Sequence, residues 1–137
     1  MEQAEARARF AGARVARMAT IGADGGPHLV PVTFAVRWPV LFSAVDAKPK
    51  TTRRLRRLAN IEASPRVSLL ADHYAEDWST LWWVRVDGTA EVRADARAVE
   101  RAQAALAEKY QQYRRSAPEG PVIIVTVERV TGWSASG

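Results

Sequence analysis

The sequence predicts a mainly β protein with peripheral α-helices, a small barrel under helical covers, and three observations carry that expectation. Short segments in which apolar and polar residues alternate recur along the chain, separated by clusters of Gly, Pro and Asp. Three other stretches place apolar residues at spacings of three and four, the period of a helix with one buried side. The last strand-like segment is apolar on both faces, as a buried barrel strand is. A length of 137 residues suits one domain spanning 1–137.

Residues 2 to 17 read as a helix, with Phe10, Val15 and several alanines on one side; the stripe is thin, so this helix caps the domain or a partner. A short strand over Met18–Gly22 leads to Asp24-Gly25-Gly26-Pro27, whose glycines supply a hairpin connection. The return strand runs from His28 to Val36. On it Val30, Val32, Phe34 and Val36 point toward the core, and Leu29, Pro31, Thr33 and Ala35 point away and leave room for something flat. After a turn at Trp38-Pro39, Val40–Val45 form a third strand, and Lys48–Asn60 form a basic helix anchored by Leu55, Leu58 and Ile61 and ended by Ser64-Pro65. Arg66–Asp72 is a strand and His73–Asp77 a polar loop. Ser79–Val92 is a long aromatic-rich strand, or a bent pair broken near Asp87-Gly88. Asp95 caps a helix carrying Val99, Ala102, Leu106 and Tyr110, and Val122–Val130 close the barrel after a loop at Pro118–Pro121.

Charge is concentrated in one place. The net charge is +5, and Lys48–Arg66 alone hold seven basic residues against Glu62, on an otherwise near-neutral body. That distribution suits a site for one anionic ligand at least as well as a surface following a nucleic-acid backbone. The chain has no cysteine, which excludes disulfides and thiolate metal sites. No segment has the apolar run of a signal peptide or a membrane span, so a soluble, cytoplasmic protein is expected, with neither membrane nor nucleic acid as a partner.

The most informative stretch is Ser43 to Leu55. Of only three lysines, Lys48 and Lys50 stand two apart where a strand gives way to a helix, beside Thr51 and Thr52. Backbone N–H groups at a helix start, with compact charges and hydroxyls beside them, read as a phosphate cradle; the same spacing also fits a solvated basic helix with threonine caps. Asp72, His73, Glu76 and Asp77 crowd one loop without a second cluster to complete a metal geometry, so a capping loop is expected there and no metal. Trp82 and Trp83 fall on opposite faces of their strand, serving as core and subunit interface or as a ring-stacking surface. No Gly-x-Ser-x-Gly elbow, Walker loop, dinucleotide fingerprint or glycosidase-type carboxylate pair is present, so no catalytic side chain is assigned and a cofactor must carry any hard chemical step.

The run Met18 to Phe34, containing Ala19-Thr20 and Gly25-Gly26-Pro27 in an "AT-x4-G-x-P" arrangement, resembles the opening hairpin of pyridoxamine 5'-phosphate oxidase-like proteins. Lys48 to Leu58 resembles their cofactor-phosphate helix, and Ser64 to Leu70 the strand after it. With Asp72-His73-Tyr74, Asp77-Trp78 and Leu81 to Gly88, the likeness covers residues 15 to 130 and is greatest toward the deazaflavin-using branch. The resemblance implies a split β-barrel of the FMN-binding type, a homodimer with cofactor sites at the subunit interface, binding F420 or alternatively FMN. It implies cofactor contacts from Val30, Pro31, Val32 and Thr33 under the ring, from Ser43, Lys48, Lys50, Thr51, Thr52 and Arg53 around the phosphate, and from Trp83. The family's usual second cationic position falls near Thr51 here, a departure that bears on cofactor choice. The activity implied is an F420- or FMN-dependent oxidoreductase passing a hydride to a small organic substrate. A non-catalytic cofactor carrier or haem-handling split barrel is the alternative, and a basic nucleic-acid module a third.

Overall fold

The computed structural model describes residues 1–45 and 52–137, the side chains of 52–55 excepted. Alternation governs the first hairpin. In β1 (Ala16–Ile21) Ala16, Met18 and Thr20 are buried and the residues between them face out. The turn into β2 (Pro27–Val32) is drawn tight by Gly22 N–H donating to Gly26 O (2.7 Å) and by Asp24 accepting from Gly26 N–H (2.9 Å), with Gly25 at φ +80°, a conformation that glycine adopts without strain.

β2 pairs with β1, then the ladder lapses at Thr33-Phe34 and resumes as β3 (Ala35–Arg37) against β4 (Val40–Ala44). The side-chain phase survives the lapse. Val32 and Phe34 are buried in one cluster and Val30 and Val36 pack against it, while Ala35 joins a second cluster on the other side. With β5 (Arg66–His73), β6 (Trp82–Arg93) and β7 (Val122–Ser134) the sheet has the order β2-β1-β5-β6-β7-β4-β3, every pairing antiparallel. Its two edge strands are therefore the two halves of one extended run, and the lapse at Thr33-Phe34 is where the barrel is split. β6 and β7 bend at a bulge beside Asp87-Gly88. A Cβ at Gly88 would strike the Thr126 carbonyl oxygen, so the close strand approach there requires glycine.

Among the described residues there are four helices, one more than expected. α1 (Gln3–Gly12) buries Ala6 and Phe10, whose ring lies 4.8 Å from Phe34 and 6.3 Å from Trp38. It ends five residues earlier than the alternation of Arg and Ala had implied, and Val15 is exposed, because Ala16 already belongs to the inward face of β1. α2 (Thr52–Ala63) sets Leu58 and Ile61 on the main core. There Asn60 donates to the buried Thr20 hydroxyl at 3.1 Å. The expected beginning of this helix, at Lys48, lies outside the described residues. α3 (Ala96–Lys109) begins at Asp95, whose carboxylate accepts from Ala98 N–H (3.2 Å), and lays Ala98, Ala102, Ala105 and Leu106 on Phe42, Val122 and Ile124. Alanines on that stripe let the helix lie close to the sheet. α4 (Gln111–Arg115) follows at once. A short 3-10 turn, Trp78–Thr80, replaces the expected start of the aromatic strand: Asp77 accepts from the Ser79 amide (3.0 Å) and hydroxyl (2.6 Å), and the strand proper begins at Trp82.

Candidate functional site

The break at Thr33-Phe34 removes two residues from the ladder, and their backbone groups must be satisfied otherwise. Ser43, fully buried on β4, donates its hydroxyl to Thr33 O at 2.8 Å. The Tyr110 hydroxyl accepts Phe34 N–H (3.2 Å) and donates to Arg14 O (2.8 Å). One helical turn on, the Tyr113 hydroxyl lies 2.7 Å from Thr33 Oγ1, and the Tyr110 and Tyr113 rings meet edge to face at 5.6 Å. Arginines fix the junction of α3 and α4. Arg14 donates to Lys109 O (3.2 Å), and Arg114 donates to Ala107 O (2.6 Å) and Glu108 O (3.0 Å), satisfying carbonyls that a helix end leaves open.

Beside the break is a cavity of about 400 Å³. β2 contributes Pro31 and Val32 to its wall, Thr33 follows, α2 contributes Arg57, and Gln112, Tyr113 and Ser116 close it from the α4 side. Arg57 is 8% exposed. None of the described residues that line this cavity is acidic, whereas Asp72, Asp87, Glu108 and Asp24 each line one of the other depressions. Ala44, the last residue of β4, forms part of the rim, so the cavity adjoins the point where 46–51 depart. A cation with hydroxyl and amide donors is the donor set that an oxyanion needs.

A second depression, about 560 Å³, lies on the outer face of β1, β2, β5 and β6, where Leu29, Leu70, Tyr74 and Trp83 surround Arg17 and Arg85. Its apolar groups are left open to an unusual degree: Leu29 is 66% exposed and Tyr74 64%. Arg85 is held by Asp87 at 3.2 Å.

Beneath the break, on the α3 side, Lys109 Nζ sits 3.7 Å from the centroid of the Phe34 ring, buried and without a hydrogen-bond partner. Burial, and secondarily the charge of Arg14, lower its pKa from 10.5 to about 8. Burial also raises the pKa of Tyr110, keeping that phenol protonated as the Arg14 O contact requires.

The site residues anticipated from sequence fall into three groups. Pro31, Val32 and Thr33 line the cavity beside the break, and Ser43 stands behind it with its hydroxyl spent on Thr33 O. Val30 faces the core, and Trp83 belongs to the outer-face depression. Lys48, Lys50 and Thr51 lie outside the described residues, and Thr52 and Arg53 are described only as backbone in the first turn of α2. Gln112, Tyr113 and Ser116 were not anticipated; the one signal was a second tyrosine three residues beyond Tyr110, past the end of the α3 pattern. In the Asp72–Asp77 loop, His73 lies 3.4 Å from the Thr80 hydroxyl and Asp77 caps the 3-10 turn; among the described residues no group of three or more acidic or His side chains is placed to hold a metal. No described helix is long and apolar enough to cross a membrane.

A family model described as pyridoxamine 5'-phosphate oxidase matches residues 3–134. Among solved structures, the Mycobacterium tuberculosis protein Rv2991 is similar at 24% identity and a TM-score of 0.79, over 98% of this chain and 86% of that one. An FAD-binding protein of Mesorhizobium loti matches at 21% identity and 0.74, over 96% and 94% of the two chains. HutZ, the haem storage protein of Vibrio cholerae, matches at 16% and 0.70, over 96% and 93%. At these identities the likeness is one of fold. No curated protein sequence matches the chain.

Proposed function

Because the chain belongs to the pyridoxamine 5'-phosphate oxidase family, we propose that it binds a phosphorylated flavin or deazaflavin and uses it as an oxidoreductase acting on a small organic substrate. The observation that carries this reading is the cavity beside the split, which joins a buried arginine to hydroxyl and amide donors. Arg57 meets the cofactor phosphate from α2. Lys48, Lys50, Thr51, Thr52 and Arg53, which stand just before or at the start of this helix in the sequence, carry further charge and hydroxyls. Pro31 and Leu29, facing out from β2, carry the ring away from the phosphate toward the apolar face that holds Trp83. When bound, the cofactor supplies the hydride, and the chain's task is to hold the ring against the substrate and keep water away.

The open face of β1, β2, β5 and β6 fits a second copy of this chain. Leu29, Leu70, Tyr74 and Trp133 are exposed on or beside it, and a homodimer would hide them and roof the ring. The proposed setting is cytoplasmic. Between the two cofactors the reading favours F420, whose longer anionic tail extends along a helix that also carries Arg56.

The absorption spectrum and mass of the small molecule that the purified protein retains, with parallel titrations of FMN and F420 at low and high salt, test this. F420 binding more tightly than FMN, by a margin that shrinks as salt screens the tail, is expected. Equal affinities or a preference for FMN would reject the deazaflavin assignment alone, and binding of neither would reject the cofactor reading. A haem spectrum would favour the second reading, a haem-handling protein, which the fold shared with HutZ supports.

A further inference from the structure

Four side-chain hydroxyls gather at the split, and they differ in what they have left to give. Ser43 spends its proton on Thr33 O, and Tyr110 both accepts from Phe34 N–H and donates to Arg14 O. Among the described residues, Thr33 and Tyr113 have only each other. Two hydroxyl oxygens 2.7 Å apart share one proton, so the second proton of the pair has no partner among the described residues. These two, and not Ser43 or Tyr110, line the cavity with Arg57.

We infer that Tyr113 donates this spare proton to the phosphate ester of the bound cofactor, with Thr33 as its positioning residue. The inference rests on the cofactor reading above. A phenol is a far stronger acid than an aliphatic alcohol, so of the two proton orders an oxyanion selects the one in which Thr33 donates to the phenolic oxygen and the phenol donates to the anion. Hydrogen bonds in such a chain polarise one another, which strengthens the last of them. The geometry is held from outside the cavity. Arg14 and Arg114 tie down the carbonyls at the end of α3, and Tyr110 pins the backbone of Phe34, so the phenol of Tyr113 is presented from a braced junction. Gln112 and Ser116 flank it on the same wall and extend the row of donors.

FMN and riboflavin differ by the phosphate alone, so their dissociation constants measured on the full chain isolate the contact. Tyr113→Phe is expected to weaken FMN binding about tenfold or more, the weight of one charge-assisted hydrogen bond, and to leave riboflavin unchanged. Thr33→Val should act in the same direction by about two- to threefold, and Thr33→Ser should restore wild-type affinity. If the wild type takes F420 and not FMN, the same comparison is made between F420 and its phosphate-free deazaflavin chromophore. FMN affinity unchanged by Tyr113→Phe would overturn the assignment. So would an equal loss for both ligands, which would mean that the phenol only shapes the cavity. A wild-type chain that binds neither FMN nor F420 would overturn the cofactor reading and this inference together, an outcome distinct from both.

Discussion

Lys109 offers a test of the packing around the split that needs no ligand. Its amine lies against the face of Phe34 with no hydrogen-bond partner, and burial lowers its pKa from 10.5 to about 8. A cation whose folded pKa is depressed opposes folding whenever it is protonated. Below about pH 8 both states hold the proton and the penalty is complete. Between about 8 and 10.5 the folded state releases it first, the unfolded state binds more protons, and stability rises with pH. A tenfold change in proton affinity is worth about 1.4 kcal/mol, so the depression sets a ceiling of about 3 kcal/mol. The side chain is only half-buried and solvent screens part of the field, so a realistic penalty is about 1 kcal/mol. Lys109→Met keeps the stem and its contact with the ring and removes the charge. Urea unfolding of both proteins at pH 7 and pH 9.5 is the assay, with the variant cancelling all other titrations. The variant should be more stable by about 1 kcal/mol at pH 7, with a smaller difference at pH 9.5. A pH-independent difference, or a variant less stable at pH 7 than at pH 9.5 relative to wild type, would refute the claim that an unpartnered amine is buried there.

Gly88→Ala drives a methyl group into the Thr126 carbonyl at the β6–β7 bulge, where the neighbour is backbone and cannot swing aside, and should cost about 2 kcal/mol or more in chemical unfolding; a loss under about 0.5 kcal/mol would show that the strands can part. Leu29→Asp places a carboxylate on the open face without touching the core, so sedimentation at low micromolar concentration should show the proposed dimer giving way to monomer while the circular dichroism spectrum holds; a monomeric wild type, or a dimeric variant, would count against that face as the interface.

Much of this architecture was legible from the order of residues. Alternation over 28–36 assigned the inward set correctly, even across a break in the ladder that it did not foresee, because side-chain phase depends on extended backbone and not on a pairing partner. Asp95 announced the start of α3, and the glycines after Asp24 announced the hairpin, because caps and turns are contacts within a few residues. The basic run over Lys48–Arg66 marked the helix that carries Arg57, and the ordered motifs pointed to the family that the match over 3–134 establishes.

Boundaries were less legible. α1 stops at Gly12 because β1 claims Ala16, and no local signal in an Arg/Ala run separates those fates. The anion cavity was least legible of all. Thr33 and Tyr113 are 80 residues apart, and Arg57 comes from a third element; only the tertiary fold brings them to one wall. Periods of two and of three to four residues in the sequence placed the β-strands and the three longer helices and marked their apolar faces. The tertiary structure alone decided which hydroxyls are spent and which face a cavity, because hydrogen-bond partners across a barrel are set by strand order and register, which no local period encodes.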